Sequence, residues 1–298
     1  MNAQNQQHHR LAIASLLFSA SLWGLIWYPL RLLNEAGMSA VWSSLMMYLA
    51  AGIVVIPFIR NKSQLLYQHR SSLVALAIAA GITNVAFVIA LIEGEVMRVM
   101  LLFYLSPLWT VLLGRWWLGE RLSRAAIIMF ALAMTGSIIM LWNPDIGWPW
   151  PHGMADWLAL MASIAFSINN VLARKLASVS MGMKTGVVWW GVVVTSIIVL
   201  IWQQAPVPEV TPSVWVGAIL LGLLGITAMT IAVLYGVGKM PVYRSSVIML
   251  FELIVAAIAA WILTNEVMTM QEWIGGSLIL VAAYGVARSE MKQGEEND

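Results

Sequence analysis

Long apolar stretches alternate with short polar ones along the whole chain, and their length is that of a membrane crossing. Apolar runs fall near residues 11 to 30, 40 to 59, 73 to 92, 97 to 117, 124 to 142, 155 to 173, 185 to 202, 214 to 236, 245 to 263 and 271 to 287. Each comes close to the roughly 20 residues of helix that cross a hydrocarbon layer about 30 Å thick. The pattern predicts an all-α integral membrane protein of ten transmembrane helices, with connections too short for a separate soluble domain. The expected layout is a tail over 1–10, a first five-helix unit over 11–142, an external linker over 143–154, a second five-helix unit over 155–287 and a tail over 288–298.

The start of the chain, MNAQNQQHHR and then LAIASLLFSAS, has the form of a signal peptide with a cleavage site near Ala20. The apolar run nevertheless continues through Trp23, Leu25, Ile26 and Trp27, so it reads as an uncleaved first span.

Composition agrees: 61% of the 298 residues are hydrophobic and 10% charged, against roughly a quarter charged in soluble domains. The absence of cysteine excludes disulfides and thiolate chemistry. A net charge of +2 is too small to indicate nucleic acid as a partner, and what matters is where the charges lie. Ten spans put fourteen of the sixteen Lys and Arg residues on one side of the membrane and leave Arg31 and Arg98 on the other. Short loops rich in Lys and Arg stay cytoplasmic, so both termini are expected inside, as in a multi-pass protein of a bacterial-type inner membrane. Trp116, Trp117, Trp142, Trp157, Trp202, Trp215, Trp261 and Trp273 lie near span ends, where an amphipathic ring suits the headgroup layer.

The chain also matches itself. A shift of 146 residues places Asn84 on Thr230, Arg98 on Arg244 and Glu120 on Glu266, and a shift of 143 places Trp23 on Phe166 and Arg31 on Arg174. Two copies of a five-helix unit must have opposite orientations, because five is odd. Such inverted repeats around a central cavity are a recurrent plan of secondary transporters, which expose one site alternately to the two sides.

The stretch LLFYLSPLWTVLLGRWWLGERLSRAAIIMFALAMTGSIIML, with Ser106, Pro107, Gly119, Glu120 and Gly136, resembles the signature of the drug/metabolite transporter superfamily, EamA type. The second half has Glu252, Glu266, Gln271 and Gly275 in the corresponding pattern, but Leu253 stands where the family usually has proline, leaving no proline to open that helix. Within the superfamily the chain is most similar to the YddG-type exporters of aromatic amino acids, through Trp23, Tyr104 and an aromatic Phe166. The resemblance implies a cavity between the halves, formed by the first, third, fourth, sixth, eighth and ninth helices and holding a zwitterionic amino acid.

Glu252 stands inside an apolar run, where a charge costs roughly 2.5 to 3.5 kcal/mol or more, so it must face protein or water. It is a candidate counter-ion for a substrate ammonium or a proton carrier for coupling; the structural alternative is a hydrogen-bonded carboxyl tying two helices together. Asn169 and Asn170 in FSINNVLARK offer the donors and acceptors that a zwitterion needs, or serve as interhelical contacts. Asn84 and Thr230 are candidates for lining or for packing, as are Ser106 and the aromatic residues Trp23, Trp27, Tyr104, Phe166 and Tyr235. Pro107 is a candidate hinge, since proline frees a backbone carbonyl. Arg31 and Arg98, near Glu35, Glu93 and Glu95, are read as ion-pair partners or as an outer gate. Glu120 and Glu266 lie at span ends, where hydrogen bonds or ion pairs that shape the loops are expected.

Enzymatic motifs are missing. His8, His9, His69 and His152 fall in tails or loops, where they assemble no intramembrane metal site, and neither a nucleophile elbow nor a phosphate-binding loop occurs. The sequence therefore reads as a non-enzymatic, gradient-driven or facilitative exporter of small metabolites, most plainly amino acids, with no cofactor. Its partners are a small-molecule substrate and the lipid bilayer, and a monomer suffices. Efflux of cationic aromatic drugs is the alternative, with an intramembrane enzyme or a scaffold behind it. Accessibility reporters placed at residues 120 and 266 should report from opposite sides of the membrane; finding both on one side would end the inverted-repeat reading.

Overall fold

The computed structural model describes residues 3–59, 69–94, 96–142, 151–263 and 269–296, and among these every regular element is helical. In chain order the helices are α1 (Ala3–Leu25), α2 (Trp27–Glu35), α3 (Ala40–Ile59), α4 (Arg70–Glu93), α5 (Val96–Phe103), α6 (Ser106–Leu118) and α7 (Arg124–Leu141). They continue as α8 (Met154–Lys175), α9 (Met181–Trp202), α10 (Pro212–Leu220), a π-helical turn (Leu221–Ile226), α11 (Thr227–Lys239), α12 (Val242–Met249), α13 (Phe251–Leu263) and α14 (Met270–Glu296).

Nine stretches among the described residues are long and apolar enough to cross a membrane. They comprise α1 with α2, α3, α4, α5 with α6, α7, α8, α9, α10 through α11, and α12 with α13. The last apolar run falls within α14. Side chains such as Ile78, Leu112, Ile198 and Leu224 point outward and are half or more exposed, as expected where lipid replaces water. α1 begins at Ala3 and α14 runs to Glu296, so regular helix extends into the stretches 1–10 and 288–298 expected as tails. No proline interrupts either segment, and the only glycine is Gly294 near the far end. Most of the expected linker, 143–150, lies outside the described residues, as do Glu95, Asn265 and Glu266.

Two spans are interrupted at mid-depth. Between α5 and α6, Pro107 sits in the first turn of α6, where its missing N–H is harmless, and it denies the Phe103 carbonyl a helical partner. The corresponding interruption between α12 and α13 occurs although Leu253 has replaced the proline. Leu250 donates to the Val247 carbonyl at 3.3 Å and Leu253 to the Leu250 carbonyl at 3.1 Å, both three residues back, so the chain tightens into a turn. Two features accompany it. Ser245 and Ser246 both donate their hydroxyls to the Val242 carbonyl, a contact that bends helices. Gly24 of α1 lies so close that a Cβ there would stand 2.6 Å from the Glu252 carbonyl oxygen. The two broken spans share one register, since α5 starts and ends 146 residues before α12 (96 against 242, 103 against 249).

Packing is dense where small residues let backbones meet. α4 packs on α8 and α9, α1 on α11 and α13, α6 on α8, α3 on α9, and α7 on α14. At the α4–α9 crossing a Cβ on Gly191 would lie 2.3 Å from the Ala77 carbonyl oxygen, and at the α7–α14 crossing Gly136 and Gly275 face each other's carbonyls. Membrane helices associate through such close contacts because lipid offers no hydrophobic gain for burying apolar faces. Gly191→Ala should therefore force α4 and α9 apart and cost about 1–3 kcal/mol, seen as a lowered Tm in detergent. Gly153→Ala, where nothing lies within 4 Å of the added Cβ, should leave Tm unchanged.

Candidate functional site

The two interruptions face each other across a cleft, and among the described residues one side-chain hydrogen bond joins them. The Tyr104 hydroxyl, at the α5–α6 break, donates to Glu252 Oε1 in the first turn of α13. A carboxyl at mid-depth needs such a donor, because leaving it unmatched in an apolar setting is costly. Ser106, Pro107, Phe166, Asn170, Ser245 and Ser246 complete the polar and aromatic lining around this pair.

One wall is aromatic. The Phe103 ring packs against Phe166 at 5.6 Å, Phe87 at 4.4 Å and Tyr104 at 5.8 Å between centroids. The wall is held in place by Ser167 of α8, whose hydroxyl donates to the Ser106 carbonyl at 2.8 Å and so fastens α8 to the start of α6. The space open to water centres is about 30 Å³, enough for roughly two waters.

Of the residues singled out from the sequence, Tyr104, Ser106, Pro107, Phe166, Asn170 and Glu252 meet in this cleft. The others lie elsewhere. Asn169 has a buried side-chain oxygen without a hydrogen-bond partner among the described residues. Asn84 donates to the Tyr48 hydroxyl at 3.4 Å, and Thr230 accepts from the Trp189 indole at 3.1 Å, a buried contact between α11 and α9. Trp23 packs half-buried on the core, Trp27 stands edge-on to Tyr28, and Tyr235 lies under the Lys239 ammonium.

Arg31 pairs with Glu35 along the exposed face of α2 at 2.8 Å, a surface contact of little energetic weight. Arg98 reaches Asp156 of α8 at 3.5 Å. Asp156 is buried and also accepts the His152 backbone N–H; it was not among the acids that sequence proximity suggested. Phe103, Ser245 and Ser246 also escaped the sequence reading, although two adjacent serines in an apolar span just before Glu252 were a usable signal.

A second link between the breaks' elements lies at one end of the bundle. Gly119 takes a left-handed φ of +67° and ends α6, a conformation that glycine adopts at little cost. The chain then turns so that both carboxylate oxygens of Glu120 accept the Val242 N–H, at 3.2 and 3.1 Å, capping the start of α12. Burial raises the Glu120 carboxyl above its ordinary 4.5, and the Val242 amide and the Arg174 and Arg244 charges offset this only in part. A raised acid binds its proton more tightly in the fold than in the unfolded chain. Its contribution is thus full below about 4.5 and is lost as pH rises through the raised value. The Tm of the protein minus that of Glu120→Gln should fall as pH is raised from 4.5; a difference that stays flat or grows would contradict the burial.

Comparison with known proteins follows the same outline. The model of the EamA-like transporter family matches over residues 10–142 and 153–288. A protein from Rhizobium johnstonii called a riboflavin transporter is 24% identical over 293 residues, covering 95% of this chain and 91% of its own. One solved crystal structure superposes with a TM-score of 0.72 over 92% of this chain and 94% of its own, at 16% identity, which speaks for the fold alone.

Proposed function

The chain belongs to the EamA-like transporter family, and from that premise we propose that it exports amino acids, aromatic ones among them, by alternating access between two inverted five-helix halves. In this reading ten spans cross a bacterial-type inner membrane and both termini are cytoplasmic, as in the YddG-type exporters. The observation that carries it is the Tyr104–Glu252 bond across the cleft between the broken spans.

Glu252 offers a carboxylate at mid-depth, and in the tightly packed state the Tyr104 hydroxyl satisfies it. A substrate ammonium is a stronger, charge-assisted donor to the same oxygen, so its arrival replaces the tyrosine and releases one half from the other. Asn170 supplies donor and acceptor at the same level, and the Phe103–Phe166 wall takes an apolar or aromatic side chain. Glu252 is also the group placed to carry a coupled proton, with Pro107 at the hinge, and Arg98 with Asp156 as the contact that closes the opposite end. Arg31 and the remaining sequence candidates Trp23, Trp27, Asn84, Asn169, Thr230 and Tyr235 would act on the path only in another conformation.

The duplication has three supports. Both family-model segments span a five-helix unit, α5 and α12 share register at 146 residues, and the packing pattern keeps its form when the halves are exchanged. Exchange turns α4 on α8 into α11 on α1, and α6 on α8 into α13 on α1.

A second reading comes from the relative called a riboflavin transporter: the aromatic wall would stack on a flat heterocycle as readily as on an aromatic side chain. Flux into proteoliposomes containing the pure protein separates the two, with phenylalanine, riboflavin and a cationic aromatic dye as substrates. Phenylalanine should move faster than in empty vesicles, and Glu252→Gln should slow it by about tenfold or more, the loss of one charge-assisted bond, and remove its pH dependence. Riboflavin flux insensitive to Glu252→Gln, without amino-acid flux, would transfer the assignment to the second reading. Flux of no compound would end both.

A further inference from the structure

The basic end of the cleft holds more positive charge than membrane orientation explains. Residues that set topology sit exposed at span ends, in the headgroup layer. Here Lys184 of α9 is 3% exposed and Arg244 of α12 is 7% exposed. Among the described residues Lys184 Nζ has one hydrogen bond, a long 3.4 Å contact to the Ala173 carbonyl at the end of α8, which uses one of its three N–H donors. Its surroundings are positive: Arg174 donates to the Gly238 carbonyl at 2.7 Å, and Gly238, which leaves room 3.8 Å from Lys184 Nζ, is followed by Lys239. Arg174 and Lys239 are cationic neighbours of Lys184, and Glu120, a carboxylate near Arg174, already accepts the Val242 amide.

Holding two further cations, the half-buried Arg174 and the exposed Lys239, close to a buried ammonium is costly unless an anion joins them. The cluster adjoins the cleft through chain continuity: Val237, just before Gly238, and Ser245 and Ser246, just after Arg244, line it. We propose that Lys184, Arg174 and Lys239 form an anion subsite at the mouth of the cleft that receives a carboxylate or phosphate carried by the transported molecule. This rests on the reading of the cleft as the substrate path. It adds that the path selects for a negative group at its mouth as well as for a positive one at Glu252, and so disfavours simple amines. A cationic mouth also steers anionic solutes toward it, an effect that salt weakens.

Equilibrium dialysis of the full chain in neutral detergent tests this directly, with radiolabelled phenylacetate (ring and carboxylate, no ammonium) and phenethylamine (ring and ammonium, no carboxylate) as probes. Phenylacetate should bind, and Lys184→Gln should weaken it about tenfold, while Lys239→Gln, at an exposed residue that cannot endanger the fold, weakens it about threefold. Phenethylamine binding should be unchanged in both, which also reports that the cleft is intact. Raising the salt from low to physiological strength should weaken phenylacetate alone.

Phenylacetate binding that is absent, or equal in the parent and both variants, overturns the subsite. Parallel loss of both probes in Lys184→Gln, with no effect of Lys239→Gln, overturns it in favour of a structural lysine. If short-chain phosphatidylglycerol displaces phenylacetate at equal or lower concentration, the occupant is a lipid headgroup and the substrate assignment fails. Phenylacetate binding that behaves as expected, in a protein that moves no solute, overturns the transport reading and leaves the anion subsite standing.

Discussion

A carboxyl group in the middle of an apolar helix has no stable place facing lipid, and most of the architecture around the cleft follows from that constraint. Glu252 turns α13 so that its first turn faces the opposing half. There it meets the Tyr104 hydroxyl, which the α5–α6 interruption presents from the opposite wall. Both interruptions leave backbone groups outside regular helix, which the bilayer tolerates only where protein covers them. Beside the breaks, Ser167 fastens α8 to the Ser106 carbonyl at the start of α6, the serine pair bonds the Val242 carbonyl within α12, and Gly24 of α1 comes close to the Glu252 carbonyl. The polar group, the breaks and the small residues are thus one arrangement, and none of them is stable at this depth without the others.

The rest of the bundle serves as a frame with little give. Backbone contacts through Gly191, Gly136 and Gly275 bring the helices so close that little room is left for side chains to re-pack at these crossings. The cleft, by contrast, is bridged by the polar Tyr104–Glu252 contact rather than by interlocked backbones. Closely packed interfaces tend to have discrete alternatives rather than a continuous range.

Much of this was legible in the sequence. The apolar runs located the spans, and six of the candidate residues meet in one cleft, because an acid, an amide or a proline inside an apolar run is conspicuous against its neighbours. The failures have a common physical origin. Asp156 as the partner of Arg98, Tyr48 as the partner of Asn84 and Trp189 as the partner of Thr230 are contacts between helices distant along the chain. Helical periodicity shows which face is buried, but not what the face is buried against. The opening at Leu250 was hidden for another reason. Proline was the expected cause, and in its place a serine pair and a glycine on α1 accompany the break, signals spread over two elements.

Gly119 shows how little chain is needed to couple the halves. A helix ending in the ordinary right-handed region would carry residue 120 onward along its own axis, away from α12. The positive φ instead reverses the path within one residue, so that the Glu120 amide returns to the Gly114 carbonyl at 3.2 Å while its side chain crosses to Val242. One dihedral angle thus acts as a bracket that converts the end of one helix into the beginning of another. Any side chain with a Cβ at this position would work against that handedness by about 1–2 kcal/mol, although no neighbouring atom stands in its way. The tolerance of this site to substitution is therefore set by the backbone alone, and an inspection of contacts would pass it over.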